Sequence, residues 1–185
     1  MRLFSFVFQT SDFRARVERA RPRLYRLAYS WCHDPALADD LVQDALYKAL
    51  KSAGQLRDIT VLEGWLFKIL ANCWRDHFRR RRDIQDIEDM DELPFTGGCN
   101  PEDLRSQSEL AARVRKAVAG LPLGQRQVLT LIDLEDASYS EAAEILNIPV
   151  GTVMSRLCRA RAALKMQLID TRADATIKVK IRSVP

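Results

Sequence analysis

Nowhere in this chain does an apolar run approach the roughly 20 residues that a membrane-spanning helix needs. The opening MRLFSFVFQ is too short for a span and gives way to charged sequence, so neither stable membrane insertion nor a secretory signal is expected. A soluble, cytoplasmic chain is the expectation. Cysteine is sparse, and Cys32, Cys73, Cys99 and Cys158 stand singly. With two histidines, His33 and His77, and no paired cysteine spacing, four tetrahedral zinc ligands are not supplied. Buried free thiols and no bound metal are expected. A glycine-rich nucleotide loop is also missing, as is a nucleophile paired with a base. The chain is therefore expected to be no enzyme and to need no cofactor.

Basic residues are missing from residues 83–103, which hold eight Asp and Glu and no Lys or Arg. On either side the balance reverses: residues 1–82 carry 16 Lys and Arg against 9 acids, and residues 104–185 carry 13 against 8. The overall net charge of +4 hides two basic bodies flanking an acidic connector. Two such bodies suit one extended polyanion touched twice. The connector, with Pro94, Gly97-Gly98 and Pro101, reads as a flexible linker that stays off duplex DNA or occupies a positive protein channel. The expected fold is all-α: one small helical domain over 1–82, the linker over 83–103, and a second domain over 104–170. A basic tail covers 171–185. It alternates Ile177, Val179 and Ile181 with Lys178, Lys180 and Arg182, which suits a short strand or, preferred here, a disordered end.

Ser138–Leu168, SYSEAAEILNIPVGTVMSRLCRARAALKMQL, has the periodicity of two helices joined by a tight turn. Ser140 is placed to cap the first, in which Ala143 and Leu146 face inward. Asn147 suits a left-handed turn residue, Pro149 restrains Ile148, and the second helix starts near Val150. Val153, Leu157, Ala160, Leu164 and Leu168 form its apolar stripe. Thr152, Ser155, Arg156 and Arg159 lie on the other side, where a recognition helix meets base edges and phosphates, and Arg161 and Lys165 extend the positive field. Spacing alone also allows a helical hairpin with solvated arginines. Upstream, Ser108–Ala119 and Gly124–Leu134 read as helices separated by Leu121-Pro122, completing a four-helix module.

In the first half, Arg21–Trp31 reads as a helix packing through Leu24, Leu27, Ala28 and Trp31. Asp34 then caps a helix with Pro35 at its first position and Leu37, Leu41, Ala45 and Ala49 inward, supported by Val42, Leu46 and Leu50. Its other side carries Asp39, Asp40, Gln43, Asp44, Tyr47 and Lys48, an acidic, partly aromatic face suited to docking a protein or simply solvated. After a loop at 52–60, a helix from about Leu62 to Arg80 buries Leu66, Ile69, Leu70 and Cys73. Lys68, Asn72, Arg75 and Arg79 line one face at spacings of four, three and four. Trp65, Trp74 and Phe78 lie near it as base-stacking or core aromatics, with Trp65 assigned to the core, and Arg79–Arg82 suits phosphate.

DPALADDLVQDALYKAL at 34–50, GWLFKILANCWRDHFRRR at 64–81, LPLGQRQVLTL at 121–131 and YSEAAEILNIPVGTVMSRLCRARAAL at 139–164 together resemble the extracytoplasmic-function group of the bacterial sigma-70 family. The resemblance implies a region 2 that binds core RNA polymerase and the minus-10 element and a region 4 that reads the minus-35 element, with no room for region 3. It implies polymerase docking through Asp39, Asp40, Gln43, Asp44 and Tyr47. Minus-10 strand binding falls to Lys68, Asn72, Arg75, Arg79 and Arg80, with the 52–62 loop accepting a flipped base. Minus-35 contacts fall to Thr152, Ser155, Arg156, Arg159 and Arg161. Met154 departs from the family pattern, where a Lys or Arg is common. The implied partners are core RNA polymerase, promoter DNA and an anti-sigma factor. Two other readings compete: a polymerase-independent helix-turn-helix repressor binding a palindromic operator, and a protein-binding adaptor whose basic helices are merely solvated.

Overall fold

A computed structural model describes residues 2–56, 58–82 and 109–181, with side chains over 12–56, 58–79 and 112–168. The expected linker and Cys99 lie outside the described residues. The first three helices are α1 (Arg2–Cys32), α2 (Pro35–Lys51) and α3 (Leu62–Arg82). The second group is α4 (Glu109–Ala119), α5 (Leu123–Leu129), α6 (Tyr139–Leu146) and α7 (Val150–Ile181). No helix among the described residues is long and apolar enough to cross a membrane.

The α1–α2 reversal is short because His33 takes a left-handed φ of 54° and Asp34 caps the next helix. The Asp34 carboxylate accepts from Ala36 N at 2.9 Å and Leu37 N at 3.2 Å, and Pro35 costs nothing where no helical N–H partner exists. Leu24, Leu27, Ala28 and Trp31 are buried as their spacing predicts, against Leu41, Val42, Ala45 and Ala49 of α2 and Leu66, Leu70 and Cys73 of α3. Trp31 meets Trp74 edge-on at 6.0 Å. Three expectations change. Helix α1 begins at Arg2 rather than near Arg21 and runs through Pro22, a residue that costs about 3 kcal/mol in a helix interior and so looks like a boundary in sequence. Leu50 is exposed, because it falls off the α2 stripe in the last turn. The basic end expected to lack order continues α7 as helical backbone to Ile181.

In the second group, the segment expected as one helix from Gly124 to Leu134 is two pieces. Helix α5 ends at Leu129 and a wide π turn covers Thr130–Leu134. Thr130 helps break the ladder, since its hydroxyl donates back to the Arg126 and Gln127 carbonyls at 2.9 and 3.1 Å. The same hydroxyl accepts from Trp31 Nε1 at 2.9 Å, so this buried polar group joins the two groups of helices. Their buried residues form one continuous core, with α1 against α5 and α3 against α6.

His33 lies at that junction, beside Cys32, Asp34, the Tyr29 ring at 6.0 Å and the Arg126 charge. Burial, with Arg126 adding to it, pushes its imidazole down to about 4 from an ordinary 6.5. Between these values the unfolded chain binds a proton that the folded chain refuses, so this stability is full above pH 6.5 and is lost as pH falls toward 4. Thermal melts at about pH 7.5 and about pH 5 are expected to show a smaller drop for His33→Asn, whose side chain tolerates the left-handed backbone, than for wild type. An equal drop would place the acid sensitivity elsewhere.

Candidate nucleic-acid interface

Helices α6 and α7 form a helix-turn-helix whose geometry is set by a capping box at its start and a left-handed residue at its turn. Ser138, not Ser140, is the cap: its hydroxyl accepts from Glu141 N at 3.2 Å while the Glu141 carboxylate accepts from Ser138 N at 2.8 Å. This capping box needs the acid three residues after the serine, a spacing that Ser138 has and Ser140 lacks. Asn147 then takes φ 54° and ψ 49°, and Ile148 N returns to the Ala143 carbonyl at 3.0 Å. Ala142, Ala143, Ile145 and Leu146 bury one side of α6 against Val153, Leu157 and Ala160 of α7.

This seat turns a polar row outward. Thr152 is half-buried, and Ser155 and Arg159 are exposed. Arg159 is braced along the row by its donors to the Ser155 carbonyl and hydroxyl, both at 3.3 Å. Arg156 sits at the row's half-buried edge next to α5. Arg161 does not join it, because its guanidinium forks onto Asp133 at 2.6 and 3.3 Å. Met154 is exposed within the first turns, and Cys158 is exposed rather than buried as expected. Cys73 is buried as expected, and Cys32 is half-buried against the core. Burial pushes both up, Cys73 to about 11, far from a reactive thiolate.

On α3, Lys68, Asn72 and Arg79 are exposed along one face, while Arg75 is drawn inward. Its Nη1 donates to the Leu146 carbonyl at the end of α6 at 2.7 Å, and its Nη2 reaches Asn72 Oδ1. Arg79 meets Asp76 at 3.3 Å, and the Arg80 side chain lies outside the described residues. Trp74 cannot stack on a base here, since it is buried with Phe78 packed on it at 4.5 Å. Trp65 packs toward Phe13 at 6.3 Å, as a core-side aromatic.

The α2 face opposite the core presents Asp40, Gln43, Asp44 and Tyr47 to solvent, with Tyr47 63% exposed. Asp39 is half-buried, 3.8 Å from Arg21. Lys48 bridges Asp44 at 3.0 Å and Asp76 at 3.5 Å, tying the face to α3. Sequence reasoning missed the contacts that join the two groups, chiefly Arg23 of α1, which meets the buried Glu135 of the second group while also pairing with Glu63 of α3 at 2.5 Å. It also missed Arg126, which is buried. Its position three residues from both Leu123 and Leu129 was the available signal that it lies on the apolar side of α5.

These surfaces have relatives. The Sigma-70 region 2 profile matches residues 16–84, and the Sigma-70 region 4 profile matches residues 111–164. The ECF RNA polymerase sigma factor EcfG of Rhodopseudomonas palustris (strain TIE-1) is 35% identical over 181 residues, covering 95% of this chain and 96% of that protein. This chain is an extracytoplasmic-function sigma factor of the sigma-70 family. As a sigma factor it directs RNA polymerase to promoters and is not itself an enzyme. The ECF sigma factor SigE of Mycolicibacterium smegmatis is 35% identical over 152 residues, covering 80% of this chain and 58% of that protein. Among solved structures, the sigma factor RpoE of Bartonella quintana in complex with the anti-sigma factor NepR superposes with a TM-score of 0.66. It has 33% identity and covers 85% of this chain and 96% of that one. CnrH, solved with the cytosolic domain of CnrY, superposes with a TM-score of 0.57 at 28% identity, over 86% of this chain and 88% of that one. The two-body all-α architecture is that of these sigma factors.

Proposed function

We propose that this sigma factor brings core RNA polymerase to promoters through three surfaces. The acidic face of α2, with Asp39, Asp40, Gln43, Asp44 and Tyr47, docks on the polymerase. The α3 stripe of Lys68, Asn72, Arg75, Arg79 and Arg80 holds the displaced minus-10 strand, and Thr152, Ser155, Arg156 and Arg159 of α7 meet the minus-35 duplex. The observation that supports this most is the outward row of Thr152, Ser155 and Arg159 over the buried Val153, Leu157 and Ala160. Arg161, paired with Asp133, contributes field rather than a direct contact. Residues 83–103 tether the two halves, and the factor acts in the cytoplasm. An anti-sigma factor is its second protein partner, by likeness to the RpoE–NepR complex.

Reconstitution with core polymerase, then transcription from duplex and pre-melted promoters, tests the reading. A tight operator complex without polymerase would favour a repressor, and activity without DNA dependence an adaptor. Within this assay, Asp40→Lys with Asp44→Lys is expected to weaken core binding on the order of tenfold, mainly through association rate and with altered salt dependence. Helical content should stay unchanged, because both side chains are exposed. Wild-type rates in the double variant would remove this face from the proposal.

A further inference from the structure

We propose that Gly124 is a positioning residue that holds Arg156 ready for a backbone phosphate of the upstream duplex, an inference that rests on the reading of α7 as the minus-35 helix. Arg156 stands at the edge of the polar row, where α7 turns from its exposed face toward α5. Its guanidinium lies directly over Gly124. A Cβ at that position would fall 2.8 Å from Nη1 and 2.9 Å from Cζ, closer than side-chain carbons approach such atoms, and a tight 3.2 Å from Nε. The seat exists because residue 124 has no side chain. Glycine within a helix is disfavoured relative to alanine, and this close approach supplies a reason for it.

The neighbouring cations of α7 are otherwise engaged. Arg159 donates to Ser155, and Arg161 is paired with Asp133. Among the described residues, Arg156 has no hydrogen bond or ion pair, although it is half-buried. A planar guanidinium half-buried in the space left by Gly124, with its donors unspent on protein, has fewer positions open to it than a fully exposed one and so less freedom for binding to remove. Its place at the edge of the row, rather than its centre, matches it to phosphate rather than a base edge.

The test uses the full chain reconstituted with core polymerase and a duplex recovered by that holoenzyme from a random-sequence pool, titrated across salt. Gly124→Ala is expected to act like Arg156→Ala, weakening binding uniformly across sequences and lowering the salt slope by about one. Added to Arg156→Ala, it should change nothing further. A Gly124→Ala effect that persists in the Arg156→Ala background means that it acts through α5 itself, and this overturns the proposal. Wild-type binding by Gly124→Ala overturns it too, and a weakened Arg159→Ala alongside leaves the minus-35 reading standing. Unchanged binding in Gly124→Ala, Arg156→Ala and Arg159→Ala overturns both. Melting of the alanine variant should match or exceed wild type, and a chain that fails to fold also overturns the proposal, because the seat was to be cleared by a flexible side chain alone.

Discussion

Asn72→Ala should cripple initiation from a duplex promoter and spare most of it on a template supplied with a melted bubble. Asn72 is exposed on α3 between Lys68 and Arg75; its amide nitrogen can donate to a base edge, and its Oδ1, which holds Arg75 in the free chain, can accept there once Arg75 turns to the strand, whereas its neighbours supply positive charge. Losing such a contact costs about 1 to 3 kcal/mol, or about five- to 150-fold, and the deficit falls on the step in which the base leaves the duplex. A pre-melted bubble removes the unpairing cost of a few kcal/mol, so activity should partly return. Arg75→Ala should behave differently. In the packed chain Arg75 is committed to the Leu146 carbonyl, and capture of a strand phosphate requires that bond to break. Its removal deletes a strand contact and a tie between the two helical groups together. Fluorescent-base opening on both templates reads the distinction. Equal loss by Asn72→Ala on both, with loss of helical content, would make the α3 stripe structural.

The features legible in the residues and those hidden from them divide along physical lines. Local rules were legible: the Asp34-Pro35 start, the left-handed Asn147 and the buried row of Val153, Leu157 and Ala160 each come from capping, turn chemistry or periodicity. The Ser138 cap was misplaced by two residues because the reciprocal Glu141 bond, not the nearness of a serine to the helix, decides it. Pro22 hid the first half of α1 for the opposite reason, since packing over the rest of the helix outweighs one local penalty. Contacts between the two groups were invisible. Arg23 with Glu135, Trp31 with Thr130 and Arg75 with Leu146 join residues separated by 112, 99 and 71 positions, and no periodicity within either segment encodes them. For that reason the strand-facing stripe could be read from spacing, yet the diversion of Arg75 out of it could not.

Leu157→Ala and Arg159→Ala alter residues two apart on α7, and they are expected to fail in different ways. Leu157 is buried between α6 and α5, so truncation leaves a cavity in a small helical body and should cost about 2 to 5 kcal/mol of stability. That is a large share of what a domain of this size possesses, and binding to every DNA should fall as the folded fraction falls. Arg159 is exposed and, among the described residues, makes side-chain bonds within its own helix alone, at 3.3 Å, so its removal should leave denaturant midpoints nearly unchanged. Its cost should instead appear as discrimination. If the guanidinium reads a base edge, about 1 to 3 kcal/mol separates the preferred minus-35 duplex from one mutated at the contacted position, and the variant loses that difference. If it holds phosphate, both duplexes weaken together and the salt slope drops by about one. Urea melts paired with competition binding at several salt concentrations resolve these cases. A stable Arg159→Ala protein with unchanged preference and unchanged salt slope would take Arg159 out of the interface, and with it the assignment of the outward row of α7 to the minus-35 duplex.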